Sequence, residues 1–210
     1  MVVRYRPNRS PRRRPEFPLD AYRRAQDRFE GVLAAVPAQT WDRPSACAHW
    51  TLRDVAGHVI WGQEQLRHWA TGQHYGRTDG APGAVHPGDL AGANPVQTFR
   101  GVRGAADESL TREALGRTVR LLGVGDQPLA SIVTLLITDH LAHAWDIGHA
   151  LGLDIRLDTD LVAGSLAWAR NNVVRFPGFF GPELSPPPDA DEQTRWLAYL
   201  GRTAWQPVPA

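Results

Sequence analysis

Asp139, His140, His143, Asp146 and His149 all fall within one stretch, Pro128 to Gly152, and each carries a group that can bind a metal or move a proton. Their setting is apolar. Leu129, Ile132, Val133, Leu136, Ile137 and Leu141 recur at helical spacing over so wide an arc that the helix must be largely buried. Carboxylates and imidazoles are costly to bury without partners, so each of these side chains needs one. Residues four apart on a helix share a face, with Cβ atoms about 6 Å apart, so Asp139 and His143 can grip one metal ion. His140 and His143, three apart, share a face as well, and spacing alone leaves both pairs open. Two ligands are too few for a site. His58 is the natural third, because it lies inside another strongly amphipathic segment, with Trp61 and Gln65 on its side of that helix. Two simpler readings compete: hydrogen-bonded core histidines, and an Asp139–His143 ion pair contributing about 0.5 kcal/mol.

The elements that must position these residues follow from caps and periodicity. Asp126 or Gln127 is expected to cap the central helix, with Pro128 in its first turn and Gly152 in the left-handed position that ends it. Thr51 and Asp54 form a Thr-x-x-Asp capping signal for the helix that carries His58, and Gly72 closes it. A first helix spans Leu19 to Val36 and stops at Pro37. The glycine-rich segment 73–94 has no period and reads as a lid or a mobile loop. A third helix is expected over Pro95–Leu110, then a strand-like connector over Arg117–Leu122. Asp158 or Thr159 opens a further helix to about Val174. A proline-rich crossing follows, and then a short last helix, QTRWLAYLG, capped by Asp189 or Asp191. The pattern predicts an all-α bundle with long crossovers, one domain over 17–210 behind an arginine-rich disordered tail over 1–16.

Composition narrows the class. The chain has 210 residues, 42% of them hydrophobic, with eight tryptophans, enough for one globular core. All 23 basic residues are arginine, and six of them crowd into the first fourteen positions, leaving a mildly acidic body behind a basic tail. The stretch from Arg4 to Pro18, with four prolines and no hydrophobic period, reads as a solvated leader rather than a nucleic-acid arm. Cys47 is the only cysteine, which excludes an internal disulfide and predicts a reducing, cytoplasmic setting. No apolar run approaches the roughly 18 residues of a membrane span, and no signal-peptide pattern follows the first arginines. A homodimer is compatible with the sequence.

Three runs carry a family resemblance. CAHWTLRDVAGHV, Cys47 to Val59, resembles the second-helix signature of the DinB-like superfamily. It is most similar to the N-terminal domain of mycothiol-dependent maleylpyruvate isomerase and its single-domain actinobacterial relatives. DHLAHAWDIGHALG resembles the second signature of that family, and FFGPELSPPPDADEQTRWLAYLGR its closing segment. The resemblance implies a DinB-like four-helix bundle and a divalent metal held by His58, Asp139 and His143. It departs in three places. Asp139 stands where the family usually has Glu, Ala48-His49 replaces the usual Pro-Gly, and the separate C-terminal domain of the isomerase is absent.

With two nitrogens, one carboxylate and an open position, such a set suits Zn²⁺, and Ni²⁺, Fe²⁺ or Mn²⁺ as well. Together with the resemblance, which implies a small thiol such as mycothiol, this set points to a metal-dependent enzyme for S-transfer or isomerisation of a small electrophilic substrate. Trp61, Gln65, His140 and Asp146 are the candidates for its pocket. A thiol-independent metal enzyme on a biosynthetic intermediate and a non-enzymatic, small-molecule-binding bundle with a degenerate metal site are the alternatives.

Overall fold

The computed structural model describes residues 18–121, 125–173, 175 and 178–206. The expected disordered tail over 1–16 lies outside those residues, as do Leu122 and Val174, the expected ends of two elements. Helices α1 (Pro18–Ala35), α2 (Leu52–Thr71) and α3 (Pro95–Ser109) are followed by a single turn, α4 (Arg112–Leu115). A hairpin of β1 (Thr118–Leu121) and β2 (Gly125–Pro128) leads directly into α5 (Leu129–Ala150). Two helices close the described chain, α6 (Thr159–Asn172) and α7 (Glu192–Tyr199). This is the all-α architecture expected, with one small sheet added.

The four long helices α1, α5, α2 and α3 pack in a ring in that order, and α6 lies on the outside of α5 with α7 against it. Apolar side chains fill the ring. Phe29 of α1 meets Phe99 of α3 edge-on with ring centroids 5.1 Å apart, and Leu33, Val55, Val59, Ala144 and Ile147 complete that layer. A second layer gathers Tyr22, Leu66, Leu129, Val133, Trp196 and Leu197. Among the described residues no helix is long and apolar enough to cross a membrane.

Local chemistry sets the ends of the two site-bearing helices. Thr51 and Asp54 make the reciprocal capping box expected at the start of α2. The start of α5 differs from expectation. Residues 125–128 pair with β1 in extended backbone, so Pro128 is the cap residue and neither Asp126 nor Gln127 caps the helix with its side chain. The free Leu129 N–H is satisfied by Arg117 O at 2.9 Å instead. At the other end Gly152 adopts φ +73°, and Leu153 N–H reaches back to Gly148 O at 2.9 Å. Only a residue free of a Cβ penalty takes that left-handed turn without strain.

Segment 73–94 is seated rather than loose. A short 3-10 turn at Pro87–Ala91 lies against the first turns of α2, where Gly88 N–H donates to Asp54 Oδ1 at 2.9 Å. Gly57 allows this contact, since a Cβ there would sit 1.8 Å from Pro87 O. Gly57→Ala is therefore expected to lower unfolding stability by about 1–3 kcal/mol through overpacking, read by urea denaturation. Wild-type stability in that variant would contradict the close seat.

Candidate metal centre

His58 projects from the middle of α2, and Asp139 and His143 lie one turn apart on α5, the helix beside it. All three side chains meet at the seam. Asp139 Oδ1 lies 3.5 Å from His58 Nε2 and 3.4 Å from His143 Nε2, and the three ligand atoms fall within 4.8 Å of one another. Charge-assisted hydrogen bonds between such groups run about 2.7–2.9 Å, so both separations are too long for a well-made ion pair. They match the spacing of two donors on one tetrahedral ion, about 3.4 Å for bonds of about 2.1 Å.

The outward-facing ring nitrogens are already occupied. His58 Nδ1 is 2.7 Å from Gly80 O and His143 Nδ1 is 2.9 Å from Asp146 Oδ2. A carbonyl accepts and cannot donate, and the ionised Asp146 does the same, so each Nδ1 carries the proton. Each Nε2 then points toward Asp139, and in the neutral ring it carries the lone pair that a metal would take. Metal-ligating histidines are held in this way, their second N–H donated to a carbonyl or carboxylate that fixes ring and tautomer. The donor set, two imidazole nitrogens and one carboxylate, suits a divalent ion with a position left open. In these respects the residues fit a metal.

In the metal-free chain the same atoms form a largely buried charge cluster, with 17% of the Asp139 side chain exposed. Burial pushes the Asp139 carboxyl up, but the His143 and His58 rings outweigh it and hold it well below the usual carboxylate range. Burial likewise favours neutral His143, yet the Asp139 and Asp146 carboxylates raise it to about 9.

Asp146, named from the sequence as a pocket candidate, is fully buried behind His143 rather than facing the trio's open side. Its carboxylate also accepts two bonds from Arg202, Nε to Oδ1 at 2.8 Å and Nη2 to Oδ2 at 2.7 Å. Arg202 is a residue that sequence reasoning missed. It stands three positions after α7 with no periodicity to single it out, one arginine among 23. Cys47 brings its sulfur within 4.8 Å of ligand atoms of His143 and Asp146. Burial, together with Asp146 and Asp139, pushes its thiol up to about 12, so it stays protonated.

Aromatic side chains wall the site and hold its cover. Trp61, a pocket candidate from the sequence, stacks parallel to His58 with ring centroids 6.3 Å apart. Trp50, which was not anticipated there, is closer at 4.9 Å from His58 and 6.1 Å from His143. Both indoles bond the glycine-rich segment, Trp61 Nε1–H to Arg77 O at 2.8 Å and Trp50 Nε1–H to Ala84 O at 2.9 Å. With the His58–Gly80 bond, three carbonyls of residues 77–84 are fastened over the trio. Immediately before Trp50, His49 holds φ +69°, the left-handed turn for which glycine stands in the resembled pattern.

The remaining candidates lie elsewhere. His140, one residue on from Asp139, points about 100° round the helix into the ring of α1, α5, α2 and α3. Its Nδ1–H donates to Leu136 O at 2.6 Å, and its Nε2 accepts from Gln63 at 2.8 Å. Tyr22 and Gln26 bond the same Gln63, so His140 belongs to a buried polar network and not to the trio. Gln65 is half-buried, and no hydrogen bond among the described residues ties it to the site. His149 stacks on Trp145 instead, with ring centroids 4.3 Å apart. An apolar cavity of about 40 Å³ between the hairpin, the start of α5 and the end of α6 shares no residue with the trio.

Burial pushes His140 down to about 4, so in the metal-free protein a nuclear magnetic resonance titration should find the two adjacent-turn histidines far apart. His143 should keep its proton to about 9, while His140 stays neutral to about 4. The linkage signs are opposite. The raised His143 stabilises the fold fully below the unfolded value of about 6.5 and loses that contribution as pH rises through about 9. The lowered His140 opposes folding increasingly as pH falls from about 6.5 toward about 4. Indistinguishable titrations near 6.5 would contradict this geometry.

A family model described as the mycothiol maleylpyruvate isomerase N-terminal domain matches residues 22–148, a span that includes His58, Asp139 and His143. The uncharacterized Mycobacterium tuberculosis protein Rv0738 is 34% identical over 192 residues, covering 89% of this chain and 98% of its own length. A second uncharacterized protein of that organism, Rv0036c, is 26% identical over 147 residues, 62% of this chain and 55% of its own. The crystal structure of the mycothiol-dependent maleylpyruvate isomerase superposes with a TM-score of 0.55 at 17% identity, and that of one of its mutants with 0.53 at 18%. Each superposition covers 71% of this chain and 66% of the solved one, a likeness of fold. On the extent of the family match, this chain belongs to the mycothiol maleylpyruvate isomerase N-terminal-domain family.

Proposed function

We propose that His58, Asp139 and His143 hold one divalent metal ion, with zinc the best match and nickel, iron or manganese compatible with the same donors. On this reading the protein is a cytoplasmic enzyme that uses a small thiol cofactor of the mycothiol kind for S-transfer or isomerisation of a small electrophilic substrate. One observation carries the reading: two imidazoles with their Nδ1–H groups tied off present both Nε2 atoms to one carboxylate oxygen, at 3.5 and 3.4 Å. Membership of a family described by mycothiol and an isomerase supports the thiol and the class of reaction. A metal so bound lowers the pKa of a thiol entering its open position.

The protein's own residues prepare the site for an anionic sulfur. Arg202 cancels the charge of Asp146, so Asp139 is the one carboxylate left to offset a bound dication. A dication held there would leave the site with net positive charge. Trp50 and Trp61 supply apolar walls, and residues 77–84 cover them, which keeps bulk water from the reacting atoms.

Elemental analysis of gently purified protein should find about one metal per chain, lost in both His58→Ala and His143→Ala together with thiol-dependent turnover. Alanine variants that keep metal and turnover would refute the assignment. Turnover in the absence of any thiol would favour metal-activated water chemistry instead.

A further inference from the structure

The proposed ligand set leaves one buried charge without a task. Arg202 lies beyond α7, 56 residues from Asp146 in the chain, with only 11% of its side chain exposed. Its Nε and Nη2 grip both oxygens of Asp146, and its Nη1 donates to Leu200 O at 3.2 Å. All three guanidinium nitrogens thus have protein acceptors, so Arg202 is not a free cation awaiting substrate. Asp146 Oδ2 in turn accepts the Nδ1–H of His143. A planar guanidinium engaged at both oxygens fixes the plane of a carboxylate as well as its position.

The anchoring continues outward. Trp196 of α7 donates from Nε1 to Ser165 Oγ of α6 at 2.8 Å, and Ser165 bonds Thr138 of α5 at 2.7 Å. Gly201 packs its backbone against Gly181, where a Cβ would come within 2.8 Å. A buried ion pair is a weak way to gain stability, because desolvation offsets most of its attraction. Its placement against the ring nitrogen opposite a ligand atom is what calls for explanation.

We propose that Arg202 is a positioning residue for the metal centre: through Asp146 it fixes the ring orientation and tautomer of His143, so that the segment after α7 completes the site. This rests on the metal reading above. The test uses the full chain as wild type, Arg202→Met, Arg202→Lys and Asp146→Asn, with the double variant Arg202→Met/Asp146→Asn. Zinc affinity is measured by competition with a chromophoric chelator, and ligand geometry by the visible spectrum of the cobalt(II) form. Arg202→Met should bind zinc about 10–100-fold more weakly and shift the cobalt spectrum, and Arg202→Lys should recover part of both. In the Asp146→Asn background, removing Arg202 should cost little further, because it acts through Asp146.

A folded Arg202→Met protein with unchanged zinc affinity and cobalt spectrum would overturn the proposal and leave the metal reading standing. A wild type that takes up neither ion would overturn both. Should Arg202→Met fail to fold, Arg202→Lys and Arg202→Gln decide: wild-type affinity and spectrum in both refute the role, and graded loss supports it.

Discussion

Asp139 puts a carboxylate at the seam of α2 and α5, and the surrounding structure is arranged to make that burial tolerable. A lone buried charge costs several kcal/mol, which no apolar packing returns. Two imidazoles face the carboxylate, one from each helix, and each must be turned so that its Nε2 points inward. That need places an acceptor behind each ring: Gly80 O for His58 and Asp146 for His143. Asp146 is then a second buried carboxylate, and Arg202 neutralises it. The chain of requirements runs from one side chain on α5 to the lid on one side and the closing segment on the other. The three-residue centre therefore depends on parts of the chain far apart in sequence.

The departures from the resembled pattern take on physical meaning in this frame. The shorter arm of aspartate still brings one oxygen to nearly equal distances from both Nε2 atoms. His49 adopts the left-handed turn that Gly supplies in the pattern, which lets Trp50 turn back beside His58. The cost of that turn in a residue with a Cβ is about 1–2 kcal/mol. The segment after α7 supplies the guanidinium that backs the site.

Much of the scaffold was legible because it is encoded locally. The Thr51–Asp54 capping box, the left-handed Gly152 and the helical span from Pro95 are set by a few neighbouring residues, and each appears where the sequence places it. The trio could be read too, though spacing alone left His140 and Asp139 as rivals, and only the direction of each side chain separates them. The start of α5 was misread because strand pairing with β1 claims residues 125–128, a non-local demand that overrides the capping preference of Asp126. Arg202, Trp50 and the lid carbonyls were invisible for a related reason. Their roles depend on contacts between distant segments, and a backbone carbonyl at Gly80 or Ala84 leaves no mark in a sequence.

The central claim is that these three side chains, and not the neighbouring cluster with Cys47, hold a metal. Anomalous diffraction from crystals of the purified protein, collected on either side of the absorption edge of the metal it retains, tests this most directly. One anomalous peak is expected about 2.0–2.2 Å from His58 Nε2, His143 Nε2 and an Asp139 oxygen. A peak bonded to the Cys47 sulfur, or no peak at the seam of α2 and α5 in metal-loaded crystals, would contradict it.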